Sequence, residues 1–208
     1  MKFYLSSYKY GTEETKKVLK DWINIYGNKV VYISNSRDHK EDNDIKQSRI
    51  EADKDMLKEI GFEIVDISLK DYFGKEDKLK TDLSCFNAFC LIGGNVFVLR
   101  KAMELSGFDK FIKDNLYNKN MLYIWYSAGI CLLGETLKGL DLVDEPINVY
   151  NSDDVLYEGL GVFKESLVPH YKSNHPESEA VDNVVEYLEK NNIDFITLHD
   201  GDVIIKEF

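Results

Sequence analysis

A chain of 208 residues with 44% hydrophobic side chains suits one domain that buries a core without disulfide staples. Its formal net charge of −11 argues against a nucleic-acid partner, because such binders present basic patches to phosphate. Cys85, Cys90 and Cys131 form no C-x-x-C pair, and neither a signal peptide nor a membrane-length apolar run is present, so a single soluble cytoplasmic domain spanning 1–208 is expected, away from the membrane.

In chain order, KFYLSS reads as a first strand. Thr12 then opens a helical pattern with Val18, Leu19, Trp22, Ile23 and Tyr26 on one face, stopped by Gly27. KVVYIS is a continuous apolar run of the buried-strand type, SRIEADKDMLKEIG has helical periodicity, and FEIVDI is the next strand. The charged stretch Lys70 to Asp82 reads as a solvated excursion. AFCLIGG, a helical VFVLRKAMEL, a second helix around FDKFIKDNL and the strand MLYIWY follow. The last third offers a strand end in ESLVPHY and a helix from Pro176. A hairpin in DFITLHDGDVIIKEF turns at Asp200-Gly201.

Strands that alternate with helices and are apolar on both faces indicate a mostly parallel sheet sandwiched by helices. The expected fold is therefore α/β with an antiparallel edge hairpin.

Ligands of open parallel sheets gather beyond the carboxyl ends of strands. Three such ends carry unusual residues: Gly93-Gly94-Asn95, Ser127-Ala128-Gly129 and Pro169-His170-Tyr171. The glycine pair exposes backbone N–H groups at a helix start, but it matches neither G-x-G-x-x-G nor a phosphate-binding lysine loop. Ser127 sits where a sharp strand-to-helix turn would lift its hydroxyl clear of the sheet, with the N–H of Ala128 beside it. A serine nucleophile needs a base. Of the four histidines, His39 falls in a charged loop, His199 in the hairpin and His175 at a helix start. His170 follows a short apolar strand and is the best placed.

With LIGGNVFVLRKAM, YSAGICLLG and LVPHY in this order, the sequence resembles the peptidase E family, serine peptidases that include cyanophycinase-like enzymes. The resemblance spans nearly the whole chain. It implies a fold akin to class I glutamine amidotransferases, Ser127 as nucleophile and His170 as general base. It further implies Gly94 and Ala128 as oxyanion donors and Asn95 lining the site. No cofactor or metal is implied, and short peptides are the expected substrates. A homodimer is left open. For the third catalytic member, DLVDEPI offers Asp141, Asp144 and Glu145, and Asp144 best matches the family's position relative to Pro146.

One departure stands out. The family's aspartate-specific dipeptidases hold the substrate carboxylate with an arginine in the helix after the active-site histidine. Here that helix reads PESEAVDNVVEYLEK, and Arg37, Arg49 and Arg100 are the only arginines in the chain. Lysine lacks the planar fork that grips a carboxylate. A strict preference for N-terminal aspartate is therefore not expected. The same residues would also serve a hydrolase of non-peptide amides or esters, or a silent binding domain.

Overall fold

A computed structural model of the chain describes residues 1–147, 149–151 and 154–208. Its centre is a six-stranded sheet built from β1 (Lys2–Ser6), β2 (Lys29–Ile33), β3 (Glu63–Asp66), β4 (Ala88–Leu91), β5 (Leu122–Tyr126) and β8 (Val203–Glu207). The strand order is β3-β2-β4-β5-β1-β8. All neighbours run parallel except β8, which lies antiparallel to β1 with Tyr4 opposite Ile205.

Successive side chains of a strand point to opposite faces, so an unbroken apolar run buries both. Phe3, Leu5, Phe89, Leu91, Tyr123 and Trp125 pack on one face of the sheet. Tyr4, Val30, Cys90, Leu122 and Ile124 pack on the other. Two helices, α1 (Glu13–Tyr26) and α2 (Asp44–Ile60), cover the second face through Leu19, Trp22, Ile50 and Leu57. Thr12 caps α1 by a reciprocal hydrogen-bonded box with Thr15, and Gly61 ends α2 in the left-handed conformation.

The first face is covered by α3 (Glu76–Leu83), α4 (Val96–Ser106), α5 (Phe108–Asp114) and α7 (Ser178–Lys190). Here the structure corrects one expectation. The stretch from Lys70 to Asp82 is not a solvated excursion, because it holds most of α3 and buries Tyr72 and Leu79. Leu79 and Leu83, four residues apart, share one helical face and anchor an otherwise charged helix to the core.

The closing segment also differs from a hairpin. β6 (Ser166–Val168) pairs in parallel with β7 (Phe195–Thr197) as a separate two-stranded sheet, while β8 joins the main sheet. The tight turn at Asp200-Gly201 is present, with the N–H of Asp202 donating to the carbonyl of His199 at 3.0 Å. It carries the chain from one sheet to the other, and so places Asp200 at the seam between them. Among the described residues no helix is long and apolar enough to cross a membrane.

Candidate active site

Ser127 directly follows β5, which lies between β4 and β1 at the centre of the sheet. Four residues, Ala128–Cys131, form the short helix α6 directly after it. The serine adopts φ 51° and ψ −127°, a sparsely populated conformation for a residue with a side chain. Such strain costs about 1–3 kcal/mol and persists only where the surroundings hold it. Here the Ser127 N–H donates to the carbonyl of Ser6 at 3.3 Å, and its own carbonyl accepts from Ile130 at 2.9 Å. The result is a strand-to-helix elbow that presents the hydroxyl beyond the sheet edge.

His170 reaches that hydroxyl from the turn after β6. Its Nε2 lies 3.0 Å from Ser127 Oγ, and its Nδ1 lies 2.7 Å from Asp200 Oδ1. The residue is buried and takes a positive φ of 63°. Its backbone N–H donates to Ser7 Oγ at 2.9 Å, and that same hydroxyl lies 3.3 Å from Asp200 Oδ1. Asp200 is fixed from its other side, its N–H donating to Ser173 Oγ at 2.8 Å. Burial lowers the pKa of His170 from its ordinary value, with the Asp200 hydrogen bond opposing. The ring is then neutral at pH 7. Its Nδ1–H donates to Asp200, and the Nε2 lone pair accepts from the serine hydroxyl.

The structure does not bring Asp144 to the histidine. Its Oδ2 accepts from the N–H of Val96 at 2.8 Å, at the start of α4. Burial, with Glu177 adding to it, raises its pKa to about 7 against the opposing Val96 hydrogen bond. Asp141 likewise serves its own loop, accepting from Gly139 N–H at 3.0 Å. The carboxylate on His170 is Asp200, which comes from a turn 30 residues further along the chain.

Gly94 and Ala128 both line the cavity beside Ser127, and among the described residues neither N–H takes part in the backbone hydrogen bonding. Asn95 sits behind the cavity wall. Its Oδ1 caps α4 by accepting from Val98 N–H at 3.0 Å, and its Nδ2 donates to the Glu145 carbonyl at 2.7 Å. It acts as a brace for the loop carrying Gly94. The cavity is small, about 30 Å³, and opens to solvent.

Ser7, His175 and Glu177 join this neighbourhood without a sequence signal that singled them out, although the polar pair Ser6-Ser7 does end a buried strand. Nitrogen and oxygen donors of His170, His175 and Glu177 lie within 4.8 Å of one another. The two imidazoles, however, are stacked 3.8 Å apart with planes 10° from parallel. An imidazole binds a metal in its ring plane, so stacked rings do not aim at a common ion. The trio reads as a ring stack with a neighbouring acid.

Fold and strand-end cavity together define an α/β protein of the peptidase E-like architecture. The chain belongs to peptidase family S51, whose family model matches residues 3–207, and it is accordingly a peptidase. A candidate peptidase E protein from Listeria monocytogenes EGD-e is similar over 100% of this chain and 98% of its own, at 20% identity and a TM-score of 0.75. A peptidase from an acI-B1 actinobacterium is similar over 99% of this chain and 83% of its own, at 14% identity and a TM-score of 0.69. At these identities the likeness is one of fold. No curated protein matches the chain.

Proposed function

We propose that the protein is a serine peptidase that hydrolyses peptide bonds of short peptides through an acyl-enzyme on Ser127. The observation that carries the reading is the unbroken contact from Ser127 Oγ to His170 Nε2 and from His170 Nδ1 to Asp200. A serine hydroxyl attacks only when a base accepts its proton, and a base keeps the right tautomer only when its other nitrogen is held. Ser127 Oγ bonds to the peptide carbonyl carbon as its proton passes to His170 Nε2. The N–H groups of Gly94 and Ala128 meet the charge that develops on the carbonyl oxygen. As the C–N bond breaks, His170 returns the proton to the departing amine. Water, deprotonated by the same ring, then releases the acyl group and restores the serine.

Asp200 stabilises the imidazolium that forms between these steps. Strict specificity for N-terminal aspartate is not part of this reading, since no arginine stands on α7. A reducing cytoplasmic setting suits the three free cysteines. The test compares fluorophosphonate labelling and dipeptide hydrolysis in the wild type and in Ser127→Ala. Both are expected to vanish in the variant, and hydrolysis that survives it sinks the reading.

A further inference from the structure

Two donors from the turn beside the active-site loop converge on one carbonyl. The single helical turn Asn35–Arg37 follows β2, and Ser36 is fully buried there. Ser36 Oγ donates to the Gly93 carbonyl at 3.0 Å, and Arg37 Nε donates to the same oxygen at 3.2 Å. Arg37 Nη2 lies 2.8 Å from Oδ2 of Asp53, a buried carboxylate on α2. The guanidinium fork thus meets two acceptors at once, and the ion pair holds Nε on its carbonyl.

That carbonyl belongs to the peptide unit whose N–H is carried by Gly94, the glycine that lines the cavity beside Ser127. A trans peptide is planar, so its N–H points opposite to its C=O. Fixing the oxygen on Ser36 and Arg37 therefore fixes the direction of the N–H. The unit has glycine on both sides, and without Cβ atoms little else resists its rotation. A rotated unit would turn a carbonyl oxygen toward the developing oxyanion and repel it. Hydrogen bonds onto the Gly93 oxygen also polarise the amide, which makes its N–H a stronger donor.

We infer that Arg37 is a positioning residue for the reaction: held by Asp53 and assisted by Ser36, it locks the Gly93–Gly94 peptide with its N–H toward the oxyanion. This rests on the reading of Ser127 as the nucleophile.

The test uses the double variant Arg37→Met with Asp53→Asn, which removes the ion pair as a unit and strands no buried charge. Fluorophosphonate labelling is separated into its saturating rate and its half-saturation concentration. The saturating rate is expected to fall about tenfold, the loss of one charge-assisted contact, with half-saturation within about twofold. The acid limb of its pH profile should stay in place, because His170 and Asp200 are untouched. In the same protein the nitrogen-15 amide resonance of Gly94 should move, since it reports hydrogen bonding to the carbonyl of its own peptide unit. Ser36→Ala, expected to slow labelling about threefold and to move the same resonance, carries the test if the double variant does not fold. A saturating rate at the wild-type value, a loss confined to half-saturation, a shifted acid limb or an unmoved Gly94 resonance overturns the inference. A wild type that the probe does not label removes the reading of Ser127 instead, and the Gly94 resonance still decides whether Arg37 holds the peptide.

Discussion

The ring of His175 lies flat against that of His170, with centroids 3.8 Å apart and planes 10° from parallel. Tyr8 stands edge-on to both, at 5.9 Å from His170 and 5.5 Å from His175. The groups facing His170 are thus Asp200, His175, Glu177 and Tyr8. After burial, which lowers its pKa most, Asp200 and Glu177 raise it and His175 lowers it. A positive charge on the stacked ring disfavours a second one on its neighbour. His175→Phe keeps the stack and removes the ionisable ring that lowers the pKa of His170. The acid limb of the fluorophosphonate labelling rate against pH should move to higher pH by about one unit or less. An unmoved limb, or one shifted to lower pH, contradicts the coupling.

Asp200 and Asp144 are separable by mutation because they touch different partners. Asp200→Asn removes the carboxylate that fixes the Nδ1–H tautomer of His170, so labelling of Ser127 should slow by about 10⁴-fold. Asp144→Asn still offers an amide oxygen to Val96 and should leave labelling within about tenfold, since Asp144 does not touch His170. A reversal of these two outcomes would return the third catalytic role to Asp144.

That contrast also shows where the sequence stops being legible. Ser127, His170 and Gly94 end or follow apolar strands, so local pattern alone brought them to one edge. Asp200 sits in a dipeptide whose turn chemistry is local and correct, yet local chemistry does not determine which sheet each flanking strand joins. Pairing of β7 with β6 and of β8 with β1 is decided by contacts far apart in sequence. Asp144 had the opposite fate. Its place near Pro146 matched a family pattern, while its actual partner, the start of α4, lies 48 residues earlier in the chain. For α3, eight residues with only two leucines on one face gave too weak a periodic signal against the surrounding charge.

Asp144 should make stability depend on pH. Its ordinary value is 3.8, and in the folded protein burial raises it to about 7. Between these values the folded state binds more protons than the unfolded state, so stability falls as pH rises through that window. Below it the carboxyl is protonated in both states and contributes nothing. Asp144→Asn carries no such charge. The melting temperature of the variant relative to the wild type should therefore climb from about pH 4 to about pH 7 and then level off. A difference that stays constant with pH, or shrinks across the window, would show that Asp144 titrates without a raised pKa.

The two glycines before Asn95 should fail in different ways when a methyl group is added. A Cβ on Gly93 would lie 2.9 Å from Ser127 Cβ and 3.1 Å from its Oγ, so Gly93→Ala pushes on the serine itself. The elbow can shift to relieve this, and a displacement near 1 Å at a reacting atom costs about 100-fold in rate. A Cβ on Gly94 would instead meet the backbone oxygen of Ser36 at 2.7 Å, in a residue whose φ is +151°. Ser36 is held there, its carbonyl accepting from Asn95 N–H at 2.9 Å and its hydroxyl donating to the Gly93 carbonyl at 3.0 Å. Because backbone rather than a flexible side chain must move, Gly94→Ala should cost about 2–4 kcal/mol, read as a lower urea midpoint at unchanged slope. Gly93→Ala should keep most of its stability and lose labelling. A Gly93→Ala protein that labels at the wild-type rate would mean that the serine does not occupy the tight corner described here.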